Sequence, residues 1–517
     1  MATQQEKLIK YFISLIVCLS FSCSAFAELP ELIQLDSGLI QGDTSSHETI
    51  NIYRGIPFAS APTGENRWRA PQAVASWSGT RDATEFGPRC VQGGFQPGSN
   101  QALTSEDCLY LNVYTPANSS SDLLPVMIWI HGGGFFTGSA SNDIYDGTNL
   151  ASKDVIVVTI NYRLGSFGFL AHPELSAESS NNSSGHYAMM DMVAAIKWVN
   201  RNIQAFGGNS ENITIFGESA GSASVASLIA SPLTENLFQR AILQSGAWMG
   251  LSIDSLPTLN ELEQQGATLV EAFGASSIEE LRHASTLEIF ENFPNGGAIG
   301  VDGYFLPEDP SLIYSQNQQH KVDVLVGSNE NESAFFGPGI GKLNEFVESA
   351  QNTYGELAND FLDIYPADSD QQANAAYHKS YNNSLAWQMR QQARYQESQG
   401  KNAYVYFFTH IPPGQEATGA THVSELAYVF NQHQQNENWN ETDKALGDMM
   451  ATYWANFAKR GNPNGVGLPT WPVYTSHSKG KVQVLGDIVE TETEMVPSQE
   501  SLDFFQRAYQ QHLLKLQ

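Results

Sequence analysis

Apolar residues along this chain gather into short unbroken runs, separated by longer stretches with a helical period. Val126-Met-Ile-Trp-Ile130, Val155-Ile-Val-Val-Thr-Ile160, Ala241-Ile-Leu243 and Val322-Asp-Val-Leu-Val326 are continuous or nearly so, the pattern of strands covered on both faces. Leu109-Tyr-Leu-Asn-Val-Tyr114, Ile213–Phe216 and Tyr404–Phe408 read as further strands. Between them, Met189, Met192, Val193, Ile196 and Val199 share one face of a helix over Met189–Ile203. The small residues Ala220–Ala230 predict another helix, stopped before Pro232. Strands alternating with helices imply an α/β fold, a mostly parallel central sheet covered by helices on both faces. Residues 51–89, rich in Pro and Gly, predict an edge meander. The polar, mainly helical stretches 251–300 and 340–400 read as helical insertions. Nothing has the composition of a linker, so residues 28–517 read as a single domain.

The first 27 residues break this pattern. Lys7 and Lys10 precede an apolar run, Phe12–Leu19, and Ala25-Phe26-Ala27 supplies the small residues of a cleavage site. This is the layout of a signal peptide cleaved after Ala27, and it implies a secreted or periplasmic protein. No later apolar run is long enough for a transmembrane span. With 26 Lys and Arg against 55 Asp and Glu the formal charge is −29, which repels nucleic acid and anionic lipid and excludes both as partners. Of four cysteines, Cys18 and Cys23 leave with the signal. Cys90 and Cys108 remain, an even pair in an exported chain, and predict one disulfide.

Candidate chemistry centres on Gly217-Glu218-Ser219-Ala220-Gly221, between the strand Ile213–Phe216 and the helix Ala220–Ala230. Strand, sharp turn and helix is the context a nucleophile elbow requires. A glycine-rich turn that happens to hold a serine has the same letters, so the motif alone decides little. A second glycine run, His131-Gly-Gly-Gly-Phe135, follows the strand Val126–Ile130. It lacks the G-x-G-x-x-G spacing and a following Lys-Ser/Thr, which argues against a phosphate loop. Successive glycines instead let backbone N–H groups approach a carbonyl oxygen, as an oxyanion loop must.

Several longer blocks carry a resemblance. Tyr53-Arg-Gly-Ile-Pro-Phe-Ala59, Glu106-Asp-Cys-Leu-Tyr-Leu-Asn-Val113, Asn161-Tyr-Arg-Leu-Gly165 and Phe206-Gly-Gly-Asn209 lead into and around the elbow. Tyr453-Trp-Ala-Asn-Phe-Ala458, Gly461-Asn-Pro-Asn464 and Trp471-Pro472 close the chain. In this order they resemble the type-B carboxylesterases, the cholinesterase and carboxylesterase branch of the α/β-hydrolases. The resemblance covers nearly all of residues 28–517. It implies an α/β-hydrolase fold and a serine carboxylesterase that cleaves small uncharged esters through an acyl-enzyme, without metal or organic cofactor. Ser219 is the implied nucleophile, and Gly133, Gly134 and Ala220 are the implied oxyanion donors. The family's acid falls on Glu332, five residues past Gly327 in Val324-Leu-Val-Gly-Ser-Asn-Glu-Asn-Glu332, ahead of Asp323 and Glu330. Its base falls on His422 in His422-Val-Ser-Glu425-Leu-Ala-Tyr-Val-Phe430, with His410 the nearest rival. Arg67 with Glu106 and Arg163 with Asp191 match the family's internal ion pairs, and His131 is expected to orient the glycine loop.

The chain also departs from the family. Between Cys90 and Cys108 there is no Trp, only Phe95, so a choline-stacking site is not expected there. Gly185-His186-Tyr-Ala-Met189 and Asp191-Met192 stand where relatives usually have Gly-Asn-x-Gly-Leu and Asp-Gln. Two other readings stand beside the esterase: a lipase using the same chemistry, and a catalytically inactive binding or adhesion module. The second loses ground because Ser219, Glu332 and His422 are all retained.

Overall fold

A computed structural model describes residue 29 and residues 31–517, apart from 45–46, 48, 94–103, 248–254, 294–297, 433–437, 476–480 and 493–496. The signal-peptide assignment and the loop containing Phe95 therefore lie outside the described residues.

The main sheet has ten strands: β1 (Asn51–Pro57), β2 (Tyr110–Thr115), β3 (Leu124–Ile130), β4 (Ile156–Ile160), β5 (Gly208–Glu218), β6 (Arg240–Gln244), β7 (Asp323–Asn329), β8 (Ala403–Phe408), β9 (Val482–Leu485) and β10 (Val489–Glu492). Across the sheet they run β10-β9-β8-β7-β6-β5-β3-β4-β2-β1. Every neighbouring pair from β9 to β4 is parallel. Antiparallel pairing is confined to the edges, at β10 and at β2 and β1. A small sheet of Leu32–Gln34, Leu39–Gly42 and Thr80–Ala83 is joined to β1 by a bridge between Asp43 and Ile52.

The continuous apolar runs are explained by two cores, one on each face. Along β3, Val126, Ile128 and Ile130 enter one core while Met127 and Trp129 enter the other; the period of two in strand side chains sorts them. The first core takes helices α1 (Tyr187–Asn202), α2 (Ala220–Ala230), α3 (Asp370–Ser398) and α5 (Gln499–Leu516), and the second takes α4 (Glu441–Arg460). A third, smaller cluster joins Trp68, Phe167 and Leu175 to the helices Leu259–Phe273, Ile278–His283 and Thr286–Asn292. Each of those three begins with a side-chain cap, from Thr258, Ser277 and Ser285. That insertion is tied down by Arg67, which forms a two-pronged pair with Glu106 at 2.7 and 2.6 Å and donates to the carbonyls of Arg282 and Ala284.

One sequence expectation changes here, and one departure from the family finds its place. The stretch 340–400 is not wholly an insertion, because α3 packs directly on β7 and β8 as a covering helix of the sheet. Its hydropathy hides this: Leu385, Trp387, Met389 and Ala393 are buried beside Gln392 and Gln396, whose amides bond to Tyr314 and the His320 carbonyl. His186, a departure from the family, is accommodated in a buried cluster. Its Nε2 accepts from Gly300 N and its Nδ1 lies 3.1 Å from Asp302.

Candidate active site

β5 ends at Glu218 and α2 begins at Ala220, so the whole turn falls on Ser219. Its backbone sits at φ 56°, ψ −125°, a region that costs a non-glycine residue about 1–3 kcal/mol and persists only when neighbours over-determine it. They do: Ser219 N donates to Gln244 O at 2.9 Å, and Ala223 N donates to Ser219 O at 2.9 Å. Both flanking glycines are required by space. A Cβ on Gly221 would lie 2.0 Å from Ile130 O, and one on Gly217 would lie 2.6 Å from the Gly221 carbonyl carbon.

The glycine loop leaves β3 beside this turn, since Ile130 pairs with Gly217. A Cβ on Gly132 would lie 3.0 Å from that of Ser219, so loop and elbow are in contact. Gly133 and Gly134 adopt φ 110° and 62°, and Gly133 O accepts from Phe136 N and Thr137 N. The N–H groups of Gly133, Gly134 and Ala220 find no acceptor among the described residues. Free amides at the head of a helix and on a glycine loop are the donor set a developing oxyanion needs. His131 serves this loop. Its ring stacks on Tyr162 at 4.3 Å and its Nδ1 donates to Gly132 O, while Tyr162 donates to His131 O at 2.7 Å. Burial pushes His131 down to about 4, so it is neutral in neutral solution and unsuited to acid–base work there.

Glu332 and His422 come from loops after β7 and β8. Glu332 is fully buried; one carboxylate oxygen accepts from Asn329 N and the other receives His422 Nδ1, both at 2.6 Å. The second ring nitrogen, Nε2, lies 3.3 Å from Glu218 Oε1 and has no hydrogen-bond partner among the described residues. Burial alone would pull His422 down, but Glu218 and Glu332 carry it up to about 9. Burial pushes Glu218 well above the usual carboxylate range; His422 opposes this, and Glu425 and Glu332 add to it. The half-exposed rings of Phe335 and Phe336 stand 5.5 and 4.7 Å from the imidazole.

The rival residues go elsewhere. Asp323 opens β7, at the opposite end of the strand from Glu332, and accepts from Asn402 N. Glu330 is exposed, and His410 lies between Asp443 and Asp487. Cys90 and Cys108 are disulfide-bonded. Arg163 grips Asp191 at 2.8 and 2.7 Å in the interior. Among the described residues no group of three His, Cys, Asp or Glu side chains is placed to hold a metal ion.

Sequence reasoning missed the polar scaffold beneath the site. Gln244, whose carbonyl holds Ser219, donates through its side chain to Glu425 Oε1 and accepts from Trp454 Nε1. Asn329, whose N–H holds Glu332, donates through its side chain to Glu425 Oε2 and to the carbonyls of Thr421 and His422. One buried acid thereby bridges the elbow, acid and base segments; burial pushes it up to about 7 against the pull of Asn329. The only signal was positional: Asn329 and Gln244 are polar residues ending strands whose centres are apolar.

Comparison with known proteins gives the family. The family model described as the carboxylesterase family matches residues 30–504. A fumonisin B1 esterase of Sphingopyxis macrogoltabida is 36% identical over 485 residues, covering 89% of this chain and 87% of its own. A para-nitrobenzyl esterase of Bacillus subtilis is 33% identical over 476 residues, covering 87% and 94%. A solved PNB esterase structure superposes with a TM-score of 0.78 at 30% identity, over 91% of this chain and 99% of that one. A parallel sheet with helices on both faces, and likeness to esterases along nearly its whole length, place the chain in the carboxylesterase family, as an α/β-hydrolase that acts on carboxylic esters.

Proposed function

We propose that this protein is an exported serine carboxylesterase in which Ser219, His422 and Glu332 act as nucleophile, general base and orienting acid. The observation that carries the reading is the 2.6 Å contact between Glu332 and His422 Nδ1, with Nε2 left open beside the strained elbow. Ser219 Oγ attacks the ester carbonyl carbon and its proton passes to Nε2. The carbonyl oxygen becomes an oxyanion held by the N–H groups of Gly133, Gly134 and Ala220, each such donor being worth about 2.7–4 kcal/mol. The intermediate collapses, the ester C–O bond breaks, and the departing alcohol takes the proton from His422. Water then repeats the sequence on the acyl-enzyme and releases the carboxylic acid. Glu332 fixes the imidazole tautomer and stabilises the imidazolium without itself taking the proton.

The rings of Phe335 and Phe336 beside His422 favour an uncharged, apolar ester. Export is supported by the layout of residues 1–27 and by the Cys90–Cys108 bond, which persists in oxidising compartments. Among the described residues no helix is long and apolar enough to cross a membrane. The direct test is Ser219→Ala on nitrophenyl esters graded in acyl length. A fall in kcat on the order of 10⁴-fold or more is expected; turnover within tenfold of the parent would remove Ser219 from its role.

A further inference from the structure

We infer that Gln92 is a positioning residue for the glycine loop, acting on catalysis through Thr137 and Gly138. The inference rests on the reading of Gly133 and Gly134 as oxyanion donors. The loop is anchored along its length. At its entry Tyr162 holds the His131 carbonyl. At its middle Gly165 N donates to Phe135 O at 2.8 Å. At its exit Asn161 accepts from Ser139 Oγ and Ala140 N, and ahead of that point Thr137 and Gly138 are gripped by the Gln92 side chain.

The Gln92 amide is fully used. Its oxygen accepts from Gly138 N at 2.9 Å and from the Thr137 hydroxyl at 2.8 Å. Its nitrogen donates to Gly138 O at 2.8 Å and to Cys90 O at 3.0 Å. An amide has two donors and two acceptor sites, and all four have partners. Gripping both the N–H and the C=O of Gly138, the side chain does what a neighbouring strand would do. It cannot drift, because Cys90 two residues earlier is bonded to Cys108, just ahead of β2.

The return limb it grips is packed against the donors without slack. Gly133 O accepts from Thr137 N, and a Cβ on Gly133 would lie 2.2 Å from Thr137 O. A Cβ on Gly138 would lie 2.3 Å from His131 Nδ1 and 2.6 Å from Gly132 O. A shift of Thr137–Gly138 is therefore passed to the Gly133 and Gly134 amides. Phe136 and Thr137 face solvent, while core anchoring begins only at Ser139 and Ala140, so Thr137 and Gly138 depend on the Gln92 amide for their position. Misplacement of a reacting or stabilising group by about 1 Å is enough to cost on the order of 100-fold in rate.

The test is Gln92→Ala and Gln92→Glu in the full-length protein, with ester kinetics and the affinity for a trifluoromethyl ketone. That probe bonds through its carbonyl carbon to Ser219 Oγ; the hydroxyl proton goes to His422 and the ketone oxygen becomes an oxyanion. For Gln92→Ala, kcat falls roughly 10- to 100-fold while KM stays within about threefold, the pattern of a lost transition-state interaction. Ketone affinity falls by the same factor. Gln92→Glu keeps the acceptors for Gly138 N and Thr137 but loses both donations, and gives a smaller loss of the same kind. It also carries the test should the alanine variant fail to fold. Parent-like kcat and ketone affinity in a folded variant, or a loss confined to KM, overturns the role of Gln92. If the parent itself binds the ketone no better than the matching methyl ketone, the oxyanion reading fails, and the two failures are told apart.

Discussion

His410 and His422 both follow β8, both are buried, and both lie between two carboxylates. The difference lies in what their ring nitrogens touch. His410 is closed on both sides, with Nδ1 2.6 Å from Asp487 and Nε2 2.8 Å from Asp443. Asp443 is itself occupied, taking the Tyr428 hydroxyl at 2.7 Å and the backbone N–H of Asn440 at the start of α4. His410 is thus a rivet between the end of β8, the base segment, α4 and the turn before β10, with no nitrogen left for a substrate proton. His422 is closed on one side only. Glu332 holds Nδ1, while Nε2 lies 3.3 Å from Glu218, the residue before the strained Ser219, and has no hydrogen-bond partner among the described residues. A carboxylate beside an imidazole is therefore not a signature of catalysis by itself. A second ring nitrogen left without a partner is what a general base needs and a brace lacks.

The sharpest break of this comparison is the paired substitution of the two rings. His422→Ala should lower kcat on the order of 10⁵-fold or more, because nothing else can take the serine proton. His410→Ala should leave kcat within about tenfold and instead destabilise the fold by about 2 kcal/mol, since buried Asp443 loses a partner. Steady-state kinetics and urea unfolding on both variants check this, and the reverse pattern would exchange their roles.

Glu332→Gln comes next. It preserves size but lets an amide donor face Nδ1, selecting the wrong tautomer, and a kcat loss of about 10⁴-fold is expected. A loss under tenfold would make Glu332 a brace like Asp443.

The smallest effects concern pH. Glu218 and Glu332 raise His422 to about 9, so the imidazole is protonated in the free enzyme at neutral pH and becomes a base as pH rises. The kcat/KM profile should climb through a limb well above the ordinary imidazole value, towards pH 9. Burial opposes charge on Glu218 while His422 favours it, and if the carboxyl is charged, Glu218→Gln moves the limb to lower pH with kcat changed by less than about tenfold. A limb that stays in place would mean that Glu218 is uncharged beside His422.

How much of this could be read in advance depends on the range over which each feature is encoded. The strand Val126–Ile130, the helix Ala220–Ala230 and the elbow between strand and helix are local, set by period and by glycine at two crowded positions. The candidate acid and base were placed by resemblance, through the spacing of Glu332 from Gly327 and the block after His422, and the fold brings these two side chains within 2.6 Å. The role of α3 was not, because glutamines that bond to Tyr314 and the His320 carbonyl look like surface residues in a hydropathy pattern. The C-terminal hairpin and α5 also escaped, having short strands and a polar composition.

The chain by itself determined where a serine is forced into a strained turn, where amides stand clear of side chains, and which two cysteines beyond residue 27 can pair. These depend on neighbours within a few residues, or on a count. The tertiary structure alone decided that Glu425 bridges Gln244 and Asn329, that Gln92 grips the far limb of the glycine loop, and that carboxylates raise His422 rather than letting burial lower it. Those contacts join segments from 46 to 181 residues apart. Their energies turn on tenths of an ångström, fixed by strand order and crossover packing, and no window along the chain carries that information.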